Sequence, residues 1–354
     1  MEMGDYAAAG DTFAMLVERH PGHELADDAR FQQGYAAAMD GEYDKARETF
    51  ESQLEAYPDG NMSEDALYWI ANTDSMAGAY ERSIAGMRRY LERHPDGIHS
   101  IDARYRIAFA YHALGDYERS MPLLDSFIAE HPDDVNTSEA LLLLGEAHLA
   151  RAEIDQGIEL LQRVPRGDRD YAEEAWFKIG KAYRLNDQIE PMREHFSEFQ
   201  RQFPDSARIA EAVYWIGWTY KTEPSKVAEI YLEAIAEHGP NPEQWGTTRI
   251  IDELVDKLRD PELAQTVRSQ LATMTEQAVQ RQRTTLAARL HYALGRLSRR
   301  DDQEAAAGHF RKAAELVDYK RENPLLLANL GALMRANGDL DLARTLYREA
   351  LRWN

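Results

Sequence analysis

The sequence predicts an all-α fold, a solenoid of antiparallel helix hairpins, from a repeat, its punctuation and its composition. Gly4, Gly41, Gly78 and Gly115 are spaced 37 residues apart, as are Tyr6, Tyr43, Tyr80 and Tyr117, and again Pro21, Pro58, Pro95 and Pro132. Three residue types holding one register mark an internal repeat, the signal that decides the fold before any other. Glycine and proline fall at fixed offsets, as chain breaks between helices require. Ala, Leu, Glu and Arg dominate while runs of Val and Thr are scarce, a balance that favours helix over strand.

One unit can be read from Asp27 to Pro58. Asp28 sits in the first turn of a helix, where a carboxylate meets the positive end of the helix dipole. Ala29, Gln33, Gly34 and Ala37 form a stripe of mostly small residues at helical spacing, which lets a neighbouring helix approach closely. Gly41 stops this first helix because it tolerates left-handed backbone angles. Tyr43, Ala46, Phe50 and Gln53 mark a second helix, with Tyr43, Ala46 and Phe50 turned inward, and Pro58 ends it.

The unit recurs with drift through Ala66, Ala71, Met87 and Pro95, then Ala103, Ala108, Leu124 and Pro132. A copy with Gly145 and Leu161 has a second helix cut short at Pro165. Copies with Gly180 and Phe196, and with Gly217 and Pro240, follow. Leu330, Gly331, Gly338, Ala343 and Tyr347 form a clear unit near the end.

This pattern resembles the tetratricopeptide repeat family, which implies a right-handed superhelix whose first helices line a concave groove. The 37-residue spacing and the strings Asp65-Ala66-Leu67-Tyr68-Trp69-Ile70 and His94-Pro95-Asp96-Gly97 are similar to one branch of that family, the bacterial outer-membrane assembly lipoproteins and Tol-Pal coordinators. That likeness implies an adaptor in the periplasm or cell envelope, with a cytoplasmic location as the alternative.

Residues 241–284, with Asn241, Pro242, Trp245 and Pro261, lack the repeat marks, and 285–320 recover them weakly through Gly295 and Phe310. A junction is therefore expected near 240, between a regular array (1–240) and a looser helical region (241–354). Gly4, Tyr6, Ala9 and Phe13 read as a half repeat, and the chain closes at Trp353 and Asn354 before any capping helix. Both ends suggest a stretch of a longer protein, or ends that dock onto something else.

Helical phase nominates groove residues, counted from the central small residue of each first helix (Gly34, Ala71, Ala108, Gly145, Gly180 and Gly217). Three before it lie Phe31, Tyr68, Tyr105, Leu142, Phe177 and Tyr214. One after it lie Tyr35, Asn72, Phe109, Glu146, Lys181 and Trp218, and His112 and Arg184 follow three further on. Six before it stand Asp28, Asp65, Asp102, Glu139, Glu174 and Glu211. Together they describe an aromatic ladder edged by carboxylates, suited to a protein or peptide segment with apolar and basic residues. The competing reading packs the aromatics between repeats and leaves the acids to complement helix dipoles. A chaperone-tail clamp, which the family resemblance would also allow, is disfavoured, because only Asn72, Lys181, Arg184 and Lys221 are suitable types.

The net charge is −21, from 62 acidic and 41 basic residues, which argues against nucleic acid and against an anionic membrane. The run Arg296, Arg299, Arg300 is followed at once by Asp301 and Asp302 and does not make a nucleic-acid patch. No cysteine occurs, so disulfides, thiolate zinc sites and cysteine nucleophiles are excluded. No apolar run reaches the ~20 residues of a membrane span, and residues 1–9 do not read as a signal peptide. His20, His94 and His131 each precede a proline, but equivalent positions in successive repeats stand about 10 Å apart, too far to share a metal. No phosphate loop, nucleophile elbow or zinc motif is present, and neither enzyme activity nor a cofactor is expected. The expected function is a non-catalytic scaffold. A structural subunit of a larger assembly, or the regulatory arm of an enzyme, are the alternatives.

Overall fold

A computed structural model describes residues 5–238, 245–299, 301–317 and 324–352; Gly4, Pro240, Asn241, Pro242, Arg300, Trp353 and Asn354 lie outside them. Among the described residues there are nineteen α-helices and no strand. No described helix is long and apolar enough to cross a membrane. The chain divides into two compact units, up to Ala175 and from Trp176.

The first unit holds α1 (Tyr6–Arg19), α2 (Ala26–Met39), α3 (Tyr43–Ala56), α4 (Ser63–Met76), α5 (Tyr80–Arg93), α6 (Ser100–Ala113), α7 (Tyr117–Glu130), α8 (Thr137–Ala150) and α9 (Ile154–Arg163). Each helix packs on the next, and the even-numbered helices α2, α4, α6 and α8 also touch one another in order. These are the inner helices of stacked hairpins. Gly41, Gly78 and Gly115 take φ of +82°, +73° and +72° at the ends of α2, α4 and α6, as the sequence predicts. His20, His94 and His131 are helix-ending residues whose backbone N–H groups donate to Leu16, Tyr90 and Phe127 carbonyls. The short α9 ends at Arg163 with Val164 extended before Pro165.

α10 (Ala172–Leu185) carries the division between the units. The second unit continues with α11 (Ile189–Gln202), α12 (Ile209–Thr219), α13 (Pro224–His238), α14 (Trp245–Lys257), α15 (Pro261–Gln280), α16 (Thr284–Ser298), α17 (Gln303–Leu316), α18 (Pro324–Ala336) and α19 (Leu340–Leu351). A junction near 240 does not coincide with this division. One buried core runs from Trp176 to Leu294 across that position, through Tyr231, Ile250, Leu254 and Val267. α14 bridges α12 and α16, so it takes an inner-helix place despite lacking the repeat marks. The longer α15 begins at Pro261, with the Asp260 carboxylate accepting from Leu263 N at 2.8 Å.

The hairpins close on one recurring contact. A Cβ built on Gly34 would lie 2.7 Å from the Phe50 ring, on Gly180 2.6 Å from Phe196, on Gly217 2.1 Å from Tyr231, and on Gly295 2.5 Å from Phe310. Phe50, Phe196 and Tyr231 are 0 % exposed, so the rings have nowhere to retreat. In the second hairpin the outer helix supplies the glycine, and a Cβ on Gly86 would meet that of Ala71 at 2.6 Å.

Two predictions follow from this packing. An ordinary helical Gly→Ala change stabilises by ~1 kcal/mol, whereas Gly34→Ala is expected to lower the thermal midpoint because overpacking costs about 1–3 kcal/mol; a raised midpoint would overturn the packing argument. In the second unit, His291 and His309 face each other with Nδ1 atoms 3.1 Å apart. Burial, then His309 and Lys312, push His291 down to about 4, and burial and Lys312 push His309 down. The fold keeps His291 neutral while the unfolded chain protonates at the ordinary 6.5, so the stability contribution is complete above 6.5 and lost as pH falls from there to about 4. Thermal unfolding across that range should show the decline, and His291→Leu should flatten it.

Candidate functional site

The small residue of each inner helix fixes which face looks where. Residues three apart share a helix face, so a side chain three before Gly34 must point toward the outer helix as Gly34 does. The structure shows this for Phe31, Tyr68, Tyr105, Phe177 and Tyr214, all between 2 % and 6 % exposed. Phe31 packs on Phe50 at 5.4 Å, and Tyr105 packs on Phe127 at 5.3 Å. Tyr68 lies 5.8 Å from Tyr90 and stacks on His99 at 4.1 Å. Phe177 meets Phe196 and Phe199, each at 5.5 Å, and Tyr214 lies parallel to Tyr231. These five rings are hairpin core, which corrects the expectation of an exposed aromatic ladder at this position.

The positions two before and one after the small residue turn away from the outer helix. In the first unit Tyr35 and Phe109 are half-buried there, while Asn72 is buried. Trp69, which the phase argument passed over, is also half-buried and meets Tyr35 edge-on at 4.9 Å. Its equivalents Gln32 and Arg106 are half-buried too. His112 is half-buried with Nε2 3.3 Å from Glu146 Oε2. In the second unit Lys181 is exposed, and Trp215 and Trp218 are half-buried 6.2 Å apart. Arg184 and Lys221 lie over these two indoles at 4.8 and 4.5 Å.

The acids expected to edge the groove are engaged in the first unit by the linker of the following hairpin. Asp28 accepts from Asn61 Nδ2 at 3.2 Å, Asp65 meets His99 Nε2 at 2.9 Å, and Asp102 accepts from Asn136 Nδ2 at 3.2 Å. Asp102 also accepts from the Tyr68 hydroxyl and from Arg106 Nε at 2.6 Å. Burial and then the Glu139 carboxylate push the Tyr171 hydroxyl up to about 12, and both act on Tyr105 in the same direction. In the second unit Glu211 accepts from Trp215 Nε1 at 3.3 Å and lies 4.0 Å from Lys181. Glu174 is half-buried in the first turn of α10.

A second latch lies one residue earlier, and the sequence reading missed it. Asp27 accepts from Gln53 Nε2 at 2.7 Å and from Met62 N at 3.0 Å. One repeat on, Glu64 accepts from the Tyr90 hydroxyl at 2.6 Å and from Ile98 N at 2.9 Å. The linker must come close, and a Cβ on Gly60 or Gly97 would lie 2.3 or 2.2 Å from those carboxylates. In the third copy the equivalent residues are Ile101, Phe127 and Asp134. Acid, donor and glycine are lost together. The signal was therefore present in the sequence as a covarying triplet.

Among the described residues no group of three or more His, Cys, Asp or Glu is arranged to hold a metal ion. A family model for outer membrane lipoproteins (YfiO) matches residues 60–207, and a tetratricopeptide-repeat model matches residues 1–61. No curated protein matches the chain in sequence. Among solved structures, the C-terminal part of a TPR repeat-containing protein from Cytophaga hutchinsonii is similar at 13 % identity, covering 72 % of this chain and 95 % of its own, with a TM-score of 0.56. MamA from Desulfovibrio magneticus is 18 % identical over 58 % of this chain and 99 % of its own (TM-score 0.41). YrrB, described as a TPR protein with an unusual peptide-binding site, is 16 % identical over 57 % of this chain and 98 % of its own (TM-score 0.42). With the hairpin order and the repeat register already in hand, the tetratricopeptide-repeat model over residues 1–61 and the likeness to the Cytophaga hutchinsonii structure identify the fold as a tetratricopeptide-repeat solenoid. Its middle portion is similar to the outer membrane lipoproteins.

The Glu64 latch carries a pH prediction. Hydrogen bonding from Tyr90 is the largest influence on this carboxyl, and with Ile98 N–H it holds the group below its ordinary 4.5 despite partial burial. A depressed folded value gives stability that is present above 4.5 and lost as pH falls through the folded value. Acid unfolding should therefore steepen below 4.5, and Glu64→Gln should flatten that limb; an unchanged profile would mean the latch contributes nothing.

Proposed function

We propose that this chain is a non-catalytic adaptor that holds a segment of another protein against the inner helices of its first unit, within a bacterial envelope complex. The observation that carries the reading is that successive inner helices each leave an aromatic side chain half-exposed on one face: Tyr35 on α2, Trp69 on α4 and Phe109 on α6. Each ring is already braced, Tyr35 by Trp69 and Phe109 by Tyr80 at 6.2 Å and Tyr105 at 6.4 Å, so little side-chain entropy is lost on contact with a guest.

The predicted groove residues divide accordingly. Tyr35, Phe109 and His112 contact the guest, with Trp69 added, while Phe31, Tyr68, Asn72 and Tyr105 support them from beneath. In the second unit Lys181 and Trp218 offer a further contact face, supported by Phe177 and Tyr214. The acids Asp28, Asp65, Asp102, Glu139, Glu174 and Glu211 add negative potential along the inner helices even where they are hydrogen-bonded. Together with a net charge of −21, this favours a guest with apolar and basic residues. The envelope setting is supported by the match of residues 60–207 to the outer membrane lipoprotein family.

The test is the affinity of the full chain for a dye-labelled, end-blocked peptide alternating arginine and leucine. Tyr35→Ser with Phe109→Ser should weaken binding by about tenfold or more, the scale of interface hot spots, at an unchanged unfolding midpoint. Undiminished binding by the folded double variant would move the site off this wall.

A further inference from the structure

The charge of the chain is divided unevenly between its two units. Up to Ala175 there are 36 acidic and 15 basic residues, whereas from Trp176 there are 26 of each, so the net charge of −21 lies wholly in the first unit. The balanced unit also sets some of its cations in register. Four residues after the glycine of an inner helix stand Arg184 on α10, Lys221 just past α12, Arg299 at the end of α16 and Arg335 on α18. The same position in the first unit, counted from the small residue, holds Ala38, Ser75, His112 and Leu149. A cation near a helix C-terminus complements the helix dipole. The inner helices of the first unit end without a permanent charge at this position, so dipole compensation does not require the column.

Lys221, Arg299 and Arg335 are exposed, and Arg184 is half-buried. Arg184 and Lys221 lie over the indoles of Trp215 and Trp218, at 4.8 and 4.5 Å, which holds both cations beside apolar contact area. A guanidinium stacked in this way carries its donors along its edge, where a carboxylate can be met. Between the two pairs of cations α14 brings Asp252 and Asp256, and one guanidinium engages both: Arg296 donates to Asp252 at 2.6 Å and to Asp256. A cavity of about 560 Å³, lined in part by Arg299, Leu326 and Leu333, adds apolar surface beside the second pair. Inner helices of neighbouring repeats stand about 10 Å apart, and an extended chain advances ~3.3 Å per residue. Carboxylates on every third residue of such a chain therefore match the step from Arg184 to Lys221 and from Arg299 to Arg335.

We infer that this column is a docking surface for an extended acidic segment of a protein partner, whose carboxylates meet the four cations while its apolar side chains lie on Trp218 and Leu333. Charge complementarity selects the occupant. The acid of the first unit repels a long polyanion such as nucleic acid, whereas a short acidic segment is held on the balanced unit alone. The inference deepens the reading of the second unit as a further contact face and does not depend on the wall of the first unit, whose guest is basic.

Fluorescence anisotropy of the full chain tests this with a labelled, end-blocked peptide repeating Glu-Leu-Ser, beside the same peptide with glutamine in place of glutamate. At ~0.15 M salt, where a charge acts over about 8 Å, the glutamate peptide should bind, more weakly as salt rises further, and the glutamine peptide should not. Lys221→Glu with Arg299→Glu should weaken binding by about tenfold or more, the scale of one charge-assisted hydrogen bond. Lys221→Arg with Arg299→Lys should retain it, and circular dichroism and the unfolding midpoint should stay unchanged in both double variants. Equal binding of the two peptides, no binding of the glutamate peptide, or full affinity in the folded charge-reversed variant would overturn the assignment. Equal affinity for a single-stranded oligonucleotide of the same charge would overturn the protein assignment and make this a general polyanion surface. Growth of the chain's sedimenting mass with concentration, abolished by the charge reversal, would make the column an interface between copies instead.

Discussion

The rest of the structure depends on the close approach of two helices at a residue without a side chain. Where Gly34, Gly180, Gly217 and Gly295 face Phe50, Phe196, Tyr231 and Phe310, the ring occupies the volume a Cβ would need. That contact sets the spacing within the hairpin and fixes the rotation of both helices about their axes. Once the rotation is fixed, every other position on the inner helix has its environment assigned. Residues three before the glycine go into the core, and those two before or one after it turn toward the open face. The copies without this glycine reach the same geometry with different parts. Ala71 faces a stretch of α5 containing Gly86, and the positions corresponding to the ring are filled by Met87 and Leu124, both fully buried.

Stacking one hairpin on the next is handled by a different set of residues. A carboxylate at the start of an inner helix accepts hydrogen bonds from the following linker, which brings backbone and acid so close that only glycine fits at Gly60 and Gly97. The acid also needs a donor from its own outer helix, Gln53 or Tyr90. Partly buried carboxylates are tolerated because their lone pairs are met on two sides. The third copy removes the acid, the donor and the glycine together, leaving Ile101, Phe127 and Asp134. A half-satisfied version would carry the cost of an unpaired buried charge, which is why intermediate combinations are unfavourable. Many of the acids behind the net charge of −21 are therefore structural, and the surface presented to a partner depends on which of them are engaged.

The two units offer different chemistry to a partner. Inner helices of the first unit present half-exposed aromatic side chains among acids, whereas the cavity of the second is lined by arginines and apolar residues. Arg296 with Asp252 and Asp256 shows how the second unit divides its charge. One guanidinium organises both aspartates.

The period, the hairpins and their boundaries were legible in the sequence because they depend on local chemistry. Gly41, Gly78 and Gly115 adopt positive φ in place, and a proline follows the end of each outer helix from α1 to α7, whatever the neighbours do. The small-residue stripe and the ring that meets it were also legible, since they repeat. The choice of face was not. Phe31, Tyr68 and Tyr105 have the residue types of a binding ladder, and only the position of the outer helix assigns them to the core and brings out Trp69 instead. The sequence likewise marks residues near 240 as irregular, but packing carries one core across them, because α14 fills an inner-helix place with a different pattern of apolar residues. The arginine cavity belongs to the same class. Arg249, Arg289, Arg296 and Arg299 are scattered among acids in the chain, and only the juxtaposition of α14 with α16 gathers them, because residues far apart in sequence share an electrostatic environment only after folding.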